Sequence, residues 1–221
     1  TVLGEIKIKR EYYYDKECGR GYCPKDKAFD IEGSSFSPGV RRMMSRVGAY
    51  RAFGLGSEDM HELAGISVTA KEIERVSHKL GEEIEKFQED EINSALSENI
   101  IPIKAVPIMY VCMDGTGVPV VKSETAGRRG KGEDGNAKTR EAKLGCVFTQ
   151  TTVDEEGYPI RDENSTSYIG AILKAEEFAP KIYGEAVRRG LDRAEKKCVI
   201  GDGAEWIWGI ADKQFHDAIH I

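Results

Sequence analysis

Two stretches decide how this chain reads: Ile108-Met109-Tyr110-Val111-Cys112-Met113-Asp114-Gly115 and Lys197-Cys198-Val199-Ile200-Gly201-Asp202-Gly203. Each is a short apolar run that ends on an aspartate next to glycine. An apolar run of this length, bounded by turn residues, reads as a buried strand. In open α/β sheets ligands gather at the carboxyl ends of the strands, so an acid there stands at the chemical edge of the sheet. Asp-Gly is also a common turn dipeptide, and either aspartate alone reads equally well as a turn residue. Two such acids after two buried strands of one α/β unit favour a shared role. On adjacent strands they can share a divalent cation, because Mg²⁺ takes one or two carboxylates together with substrate phosphate and water. Two such metals would clamp the attacking and leaving oxygens of a phosphoryl displacement.

Around these stretches the pattern fills in. Residues 142–149 read as a second strand and 165–169 as a third, while 118–121 continues the first after a kink. Residues 171–189 carry Ile172, Ala175, Ala179, Ile182 and Ala186 at helical spacing. Residues 204–215, with Trp206 and Trp208, read as a further helix packed on the sheet, and 218–221 begins another strand. Strands first, then helix, strand, helix and strand describe a mixed α/β sheet.

Upstream the texture differs. Residues 1–9 alternate apolar and charged side chains and predict a strand, followed by a turn-rich segment through Cys18 and Cys23. Ser37-Pro38 predicts a helix start, with Ser37 as N-cap, running to about residue 52. Gly54-Leu55-Gly56 reads as a break, and Ser57-Glu58-Asp59 as the cap of a short helix ending near Ala64 and Gly65. Thr69-Ala70-Lys71-Glu72 fits a capping box ahead of a helical stripe of Ile73, Val76, Leu80, Ile84 and Phe87. Helix, glycine-containing turn and helix make a helix-turn-helix-like pattern. A linker with Pro102 and Pro107 follows. The expected organisation is a small β element at 1–33, an all-helical helix-turn-helix-like region at 34–100 and an α/β core at 101–221.

Composition narrows the class. Hydrophobic residues make up 40% of 221, enough for a packed core, and no apolar run is long enough for a membrane helix. The first residues are mixed and charged, unlike a signal peptide, which makes the cytoplasm the default location. Five cysteines, three of them in apolar runs, do not make a disulfide framework. A net charge of −6 argues weakly against nucleic-acid binding. Local sign matters more for steering a polyanion. Arg41, Arg42, Arg46 and Arg51 lie between Phe36 and Phe53 without an acid among them. From Lys122 to Lys143 there are seven basic residues and four acidic ones, around a glycine-rich loop.

Asp114-Gly115-Thr116-Gly117-Val118-Pro119 is followed by Glu124-Thr125-Ala126-Gly127-Arg128-Arg129-Gly130-Lys131-Gly132, and then by residues 138–150 from Lys138-Thr139-Arg140-Glu141-Ala142-Lys143 onwards. Together with Gly19-Arg20-Gly21-Tyr22, Ser165-Thr166-Ser167-Tyr168 and Gly201-Asp202-Gly203-Ala204-Glu205-Trp206-Ile207-Trp208, this order resembles the ISKra-type insertion-sequence transposases along essentially the whole chain. The resemblance implies a DNA transposase of the Asp-Asp-Glu class with a ribonuclease-H-like core. Asp114 would be its first metal-binding acid, at the end of the first core strand, and Asp202 its second, after the fourth. The third acid is expected beyond Ile221, in a parent protein of which this chain is a fragment truncated at both ends. Mg²⁺ or Mn²⁺ would be the cofactor, and transposon ends and target DNA the partners, in the nucleoid. Homo-oligomeric assembly is compatible with this reading. The family carries a zinc knuckle of two Cys-x-x-Cys pairs. Here Cys18 matches half of one pair and Asp15 stands where its partner would be. Cys23 is a weak substitute, so a degenerate, metal-free knuckle is expected.

Arg128, Arg129, Lys131, Lys138, Arg140 and Lys143 are the candidates for gripping DNA phosphates beside Asp114, with Arg41 and Arg42 near the helical region. The bland alternatives are a solvated loop and a helix pair that merely packs. Two rival functions stay open. A haloacid-dehalogenase-like phosphohydrolase also ends apolar strands on Asp-Gly-Thr and Gly-Asp, but its nucleophile would fall on Cys112. A non-catalytic DNA-binding remnant is the other.

Overall fold

The backbone N–H and C=O groups of a buried strand along 108–112 need a partner on each edge, and the chain supplies both. The computed structural model describes residues 1–97, 106–130 and 135–221. It divides into two compact units, Thr1–Phe87 and Gln88–Ile221. The expected boundary and the Pro102 linker fall largely on 98–105, outside the described residues.

In the first unit, β1 (Tyr13–Asp15) and β2 (Arg20–Tyr22) form a hairpin with the Tyr13 and Tyr22 rings stacked 5.9 Å apart. Residues 1–12 form no strand, contrary to their alternation. A strand needs a partner edge. This segment is held instead by an ion pair of Arg10 with Asp26 at 2.6 Å, and Lys25 Nζ donates to the Lys9 carbonyl at 3.1 Å.

Four helices follow: α1 (Pro24–Ala28), α2 (Pro38–Tyr50), α3 (Phe53–Ala64) and α4 (Ala70–Ser97). Ser37 caps α2 by accepting the Val40 N–H, with Pro38 in the first turn, as expected. The Gly54-Leu55-Gly56 break is absent, and α3 runs through it. The reason is packing: a Cβ on Gly56 would press to 3.2 Å of Val47, so a small residue lets α3 approach α2. The capping box forms. Glu72 N–H donates to Thr69 Oγ1, and Thr69 N–H donates to Glu72 Oε2 at 2.8 Å. Val40, Met44, Met60, Val68 and Ile73 make the core of this unit.

The second unit is mixed α/β, built on a five-stranded mixed sheet. β3 (Val106–Pro119), a short helix α5 (Lys122–Thr125) and β4 (Thr139–Gln150) come first. β5 (Thr152–Val153) and β6 (Pro159–Ile160) form a small hairpin. Then come β7 (Ser167–Ala171), α6 (Ala175–Arg188), β8 (Ala194–Ile200), α7 (Glu205–Gln214) and β9 (Ile219–His220). The sheet order is β7-β4-β3-β8-β9. β3–β4 and β4–β7 are antiparallel, while β3–β8 and β8–β9 are parallel. The expected kink at 118 is not an interruption, because β3 continues to Pro119 against β4.

Met109, Val111 and Met113 alternate onto one face of the sheet, where Val147, Val199, Phe178, Ile182, Ile207 and Ile210 pack against them. Burying each such side chain contributes about 1.5–3 kcal/mol. Gly145 allows a close approach of α6 to the sheet: a Cβ there would lie 2.4 Å from Ile182 Cδ1. Behind this layer, buried Glu185 accepts from Arg188 Nε and Nη2 at 2.9 and 2.7 Å. Arg188 reaches Glu91 at 3.8 Å and Lys181 reaches Glu89 at 2.6 Å, tying the end of α4 to α6. No helix among the described residues is long and apolar enough to cross a membrane.

Two outcomes test these contacts. Gly145→Val forces methyls onto Ile182 and lowers unfolding free energy by about 1–3 kcal/mol, read from urea melts; an unchanged midpoint contradicts the close approach. The Thr69 N–H holds the Glu72 carboxyl below its ordinary range. A depressed acid stabilises above its unfolded pKa and loses that contribution as pH falls through its folded one. The stability advantage of wild type over Glu72→Gln is therefore present at neutral pH, starts to fall once pH drops below the ordinary glutamate value of about 4.3, and is lost as pH passes through the lower folded value.

Candidate functional site

The parallel pairing of β3 with β8 runs from Val106↔Ala194 to Cys112↔Ile200. Asp114 and Asp202 each lie two residues past the last pair, so the same register brings them to equivalent positions where the two strands part. β8 stops there, whereas β3 carries on with β4 alone. Asp114 is thus in the body of a long strand, at the point where its neighbour on one side ends. Both side chains are exposed.

Each carboxylate is oriented locally by one oxygen. Asp114 Oδ1 accepts the Gly115 N–H at 2.7 Å, and Asp202 Oδ1 accepts the Ala204 N–H at 3.1 Å in the turn that leads into α7. Among the described residues the second oxygen of each has no hydrogen-bond donor. Two exposed carboxylates with free oxygens fit a cation that is also bound by substrate phosphate and water. They do not make a cage by themselves, and no group of three or more His, Cys, Asp or Glu among the described residues could hold a metal ion.

The basic loop is partly built. Arg129 bridges Asn136, and Ala137 N–H donates to the Arg128 carbonyl, which continues a hairpin between α5 and β4. Arg128, Arg129 and Lys138 are exposed. Lys131 lies outside the described residues. Arg140 is half-buried and engaged, donating to the Ile172 carbonyl at 3.1 Å and lying 3.4 Å from Glu124.

Lys143 differs from the expectation of a phosphate-facing cation. It sits opposite Gly115 on the helix-covered face and is only 5% exposed. Its ammonium pairs with Glu141 and lies 4.7 Å from the Trp206 ring centroid. Strand periodicity is the cause, since side chains two apart share a face. Val147, Gly145 and Lys143 all point toward α6 and α7.

In the first unit Arg41 is paired with Asp30, while Arg42 is exposed with no carboxylate partner among the described residues. Cys18 is exposed and Cys23 half-buried near the β1–β2 hairpin. Asp15 accepts the Glu17 N–H at 2.8 Å, and a hydrogen bond from Cys18 is the main reason its carboxyl is held below the ordinary range. The turn is therefore closed by Asp15 acting as a hydrogen-bond acceptor.

Sequence reasoning did not single out Tyr50 and Lys79. With Arg42, Arg46 and Arg75 they line a groove of about 790 Å³ between α2 and α4. The Arg46-x-x-x-Tyr50 spacing, which stacks a cation over a ring one helical turn on, was the signal available. Cys112 and Cys146 face one another across β3 and β4, and burial pushes both thiols up.

No protein-family model and no curated protein matches the chain. The functional reading therefore stands on the geometry of Asp114 and Asp202 and on the sequence motifs around them.

The Glu141–Lys143 contact gives a stability test. Among the described residues, Glu141→Ala leaves the buried ammonium with only the Trp206 ring, and unfolding free energy falls by about 1–3 kcal/mol. Lys143→Met keeps the apolar stem over Trp206 and removes the buried charge, so it costs less. Equal losses in the two variants, measured by urea denaturation, would sink this account.

Proposed function

We propose that this chain carries the ribonuclease-H-like core of an insertion-sequence DNA transposase of the Asp-Asp-Glu class, with Asp114 and Asp202 as two of its metal-binding carboxylates. One observation carries the reading. In chain order β3 and β8 are the first and fourth strands of the five-stranded sheet, and they are parallel neighbours. That is where the resemblance to ISKra-type transposases puts the first and second acids. Two unrelated Asp-Gly dipeptides have no reason to fall at equivalent positions of one parallel strand pair.

Asp114 and Asp202 would hold Mg²⁺ or Mn²⁺, which supplies charge stabilisation to a phosphodiester displacement. The chain's own groups do the rest. The Asp202–Ala204 and Asp114–Gly115 hydrogen bonds hold each carboxylate in place before substrate arrives. Exposed Arg128, Arg129 and Lys138, on the segment that leads into β4, bind phosphates of the DNA strand by sequence-independent electrostatics. Arg42 offers the same contact from the helical unit. Attack by water gives a cleaved strand with a 3′-hydroxyl, and attack by that hydroxyl on target DNA gives strand transfer. The phosphohydrolase alternative is not favoured, because its nucleophile position is occupied by Cys112, a thiol that burial keeps protonated.

Mn²⁺-dependent nicking of terminal-repeat DNA by the intact gene product is expected to fall at least about 100-fold in both Asp114→Asn and Asp202→Asn. Mn²⁺ titration of this chain should weaken in parallel, with circular dichroism unchanged. Full nicking by both variants overturns the carboxylate assignment. Arg128→Ala and Arg129→Ala should each lower the slope of log affinity against log salt by about 1.

A further inference from the structure

The groove between α2 and α4 has a composition that a simple packing seam does not need. It is lined by five cations, Arg41, Arg42, Arg46, Arg75 and Lys79, and by three carboxylates. Two of those acids are already engaged: Asp30 with Arg41, and Glu83 with Lys79 at 3.9 Å. Glu32 is the third. Arg75 lies close enough to Glu72 to help hold that carboxyl down. Arg42 and Arg46 have no carboxylate partner among the described residues, so the groove keeps a positive excess.

The same groove has an apolar wall. Val76 and Leu80 of α4 line it, and Tyr50, the last residue of α2, stands 78% exposed at its side. The Arg46 guanidinium carbon lies 5.5 Å from the Tyr50 ring centroid, which orients the ring. Ser45, also in the lining, has a buried hydroxyl with no hydrogen-bond partner among the described residues. A cation rim, an exposed ring, an apolar wall and an unsatisfied hydroxyl are the parts of a stacking platform with an electrostatic funnel. A duplex backbone is convex and needs only surface cations. A concave groove of about 790 Å³ has room for an inserted group.

We infer that this groove binds single-stranded DNA, taking one unpaired nucleotide with its base on Tyr50 and its phosphates on Arg42 and Arg46. The inference rests on the nucleic-acid part of the function proposed above, and it specifies the form of DNA held by the helical unit.

Fluorescence anisotropy with the full 221-residue chain tests it, using a short labelled single strand of mixed sequence and its blunt duplex as probes. Wild type is expected to bind the single strand about tenfold more tightly than the duplex. Tyr50→Ala should weaken single-strand binding roughly 5- to 150-fold, the span of one base–aromatic stack, with Tyr50→Phe restoring it. Arg42→Ala should reduce the salt slope for the single strand by about 0.7. Equal affinity for both probes, or an unchanged Tyr50→Ala, overturns the inference. So does displacement of the strand by polyglutamate at equal charge concentration, which would make the groove an acidic-peptide site. Failure of the catalytic reading shows differently: Asp114→Asn and Asp202→Asn would keep their nicking while Tyr50→Ala still lost its strand. Failure of the whole nucleic-acid reading would show as no salt-sensitive binding of either probe.

Discussion

The parallel pairing of β3 with β8 is the constraint on which the second unit depends. Among the described residues β3 is the only strand with neighbours of both senses, antiparallel β4 on one edge and parallel β8 on the other. A parallel neighbour cannot be reached by a tight turn. The chain must leave the sheet and return through a crossover, and α6 is that crossover. The crossover covers one face, and the alternating Met109, Val111 and Met113 fill it. Because β8 ends after Ile200 while β3 runs on, a notch opens beside β3. Asp114 and Asp202 stand at that notch, exposed, Asp114 within the β3–β4 ladder and Asp202 in the turn that follows β8.

Charge in this molecule is sorted by which side of an element it falls on. Lys143 and Arg128 come from one basic stretch of sequence, yet Lys143 is sealed against Trp206 while Arg128 is exposed on the hairpin. Glu185 is buried and held by Arg188, whereas many acids of α4 are solvated. The overall charge of −6 therefore says little about any one surface. In the helical unit the arginines of α2 line a groove of net positive charge, although α4, which forms its other wall, is rich in glutamate.

Much of the architecture was legible because the signals are local. Ser37-Pro38 and Thr69 to Glu72 mark helix starts through side chains that reach the backbone within one turn. The apolar runs before Asp114 and Asp202 mark strands through burial on a repeat of two. The misses have one physical origin. Residues 1–9 alternate like a strand but find no edge to pair with. Gly54-Leu55-Gly56 reads as a break, yet α3 passes through it because Gly56 sits against Val47. Lys143 looks like a DNA-facing cation until strand register turns it inward.

By itself, then, the sequence determined the kinds of elements, most of their starts, and the two aspartates that close apolar strands. Those properties come from interactions a few residues apart. Only the tertiary structure decided which strands are neighbours, where β8 stops along β3, and which basic residues face solvent. Those depend on contacts between segments about 90 residues apart in the chain, such as Cys112 and Ile200, and no local pattern encodes them.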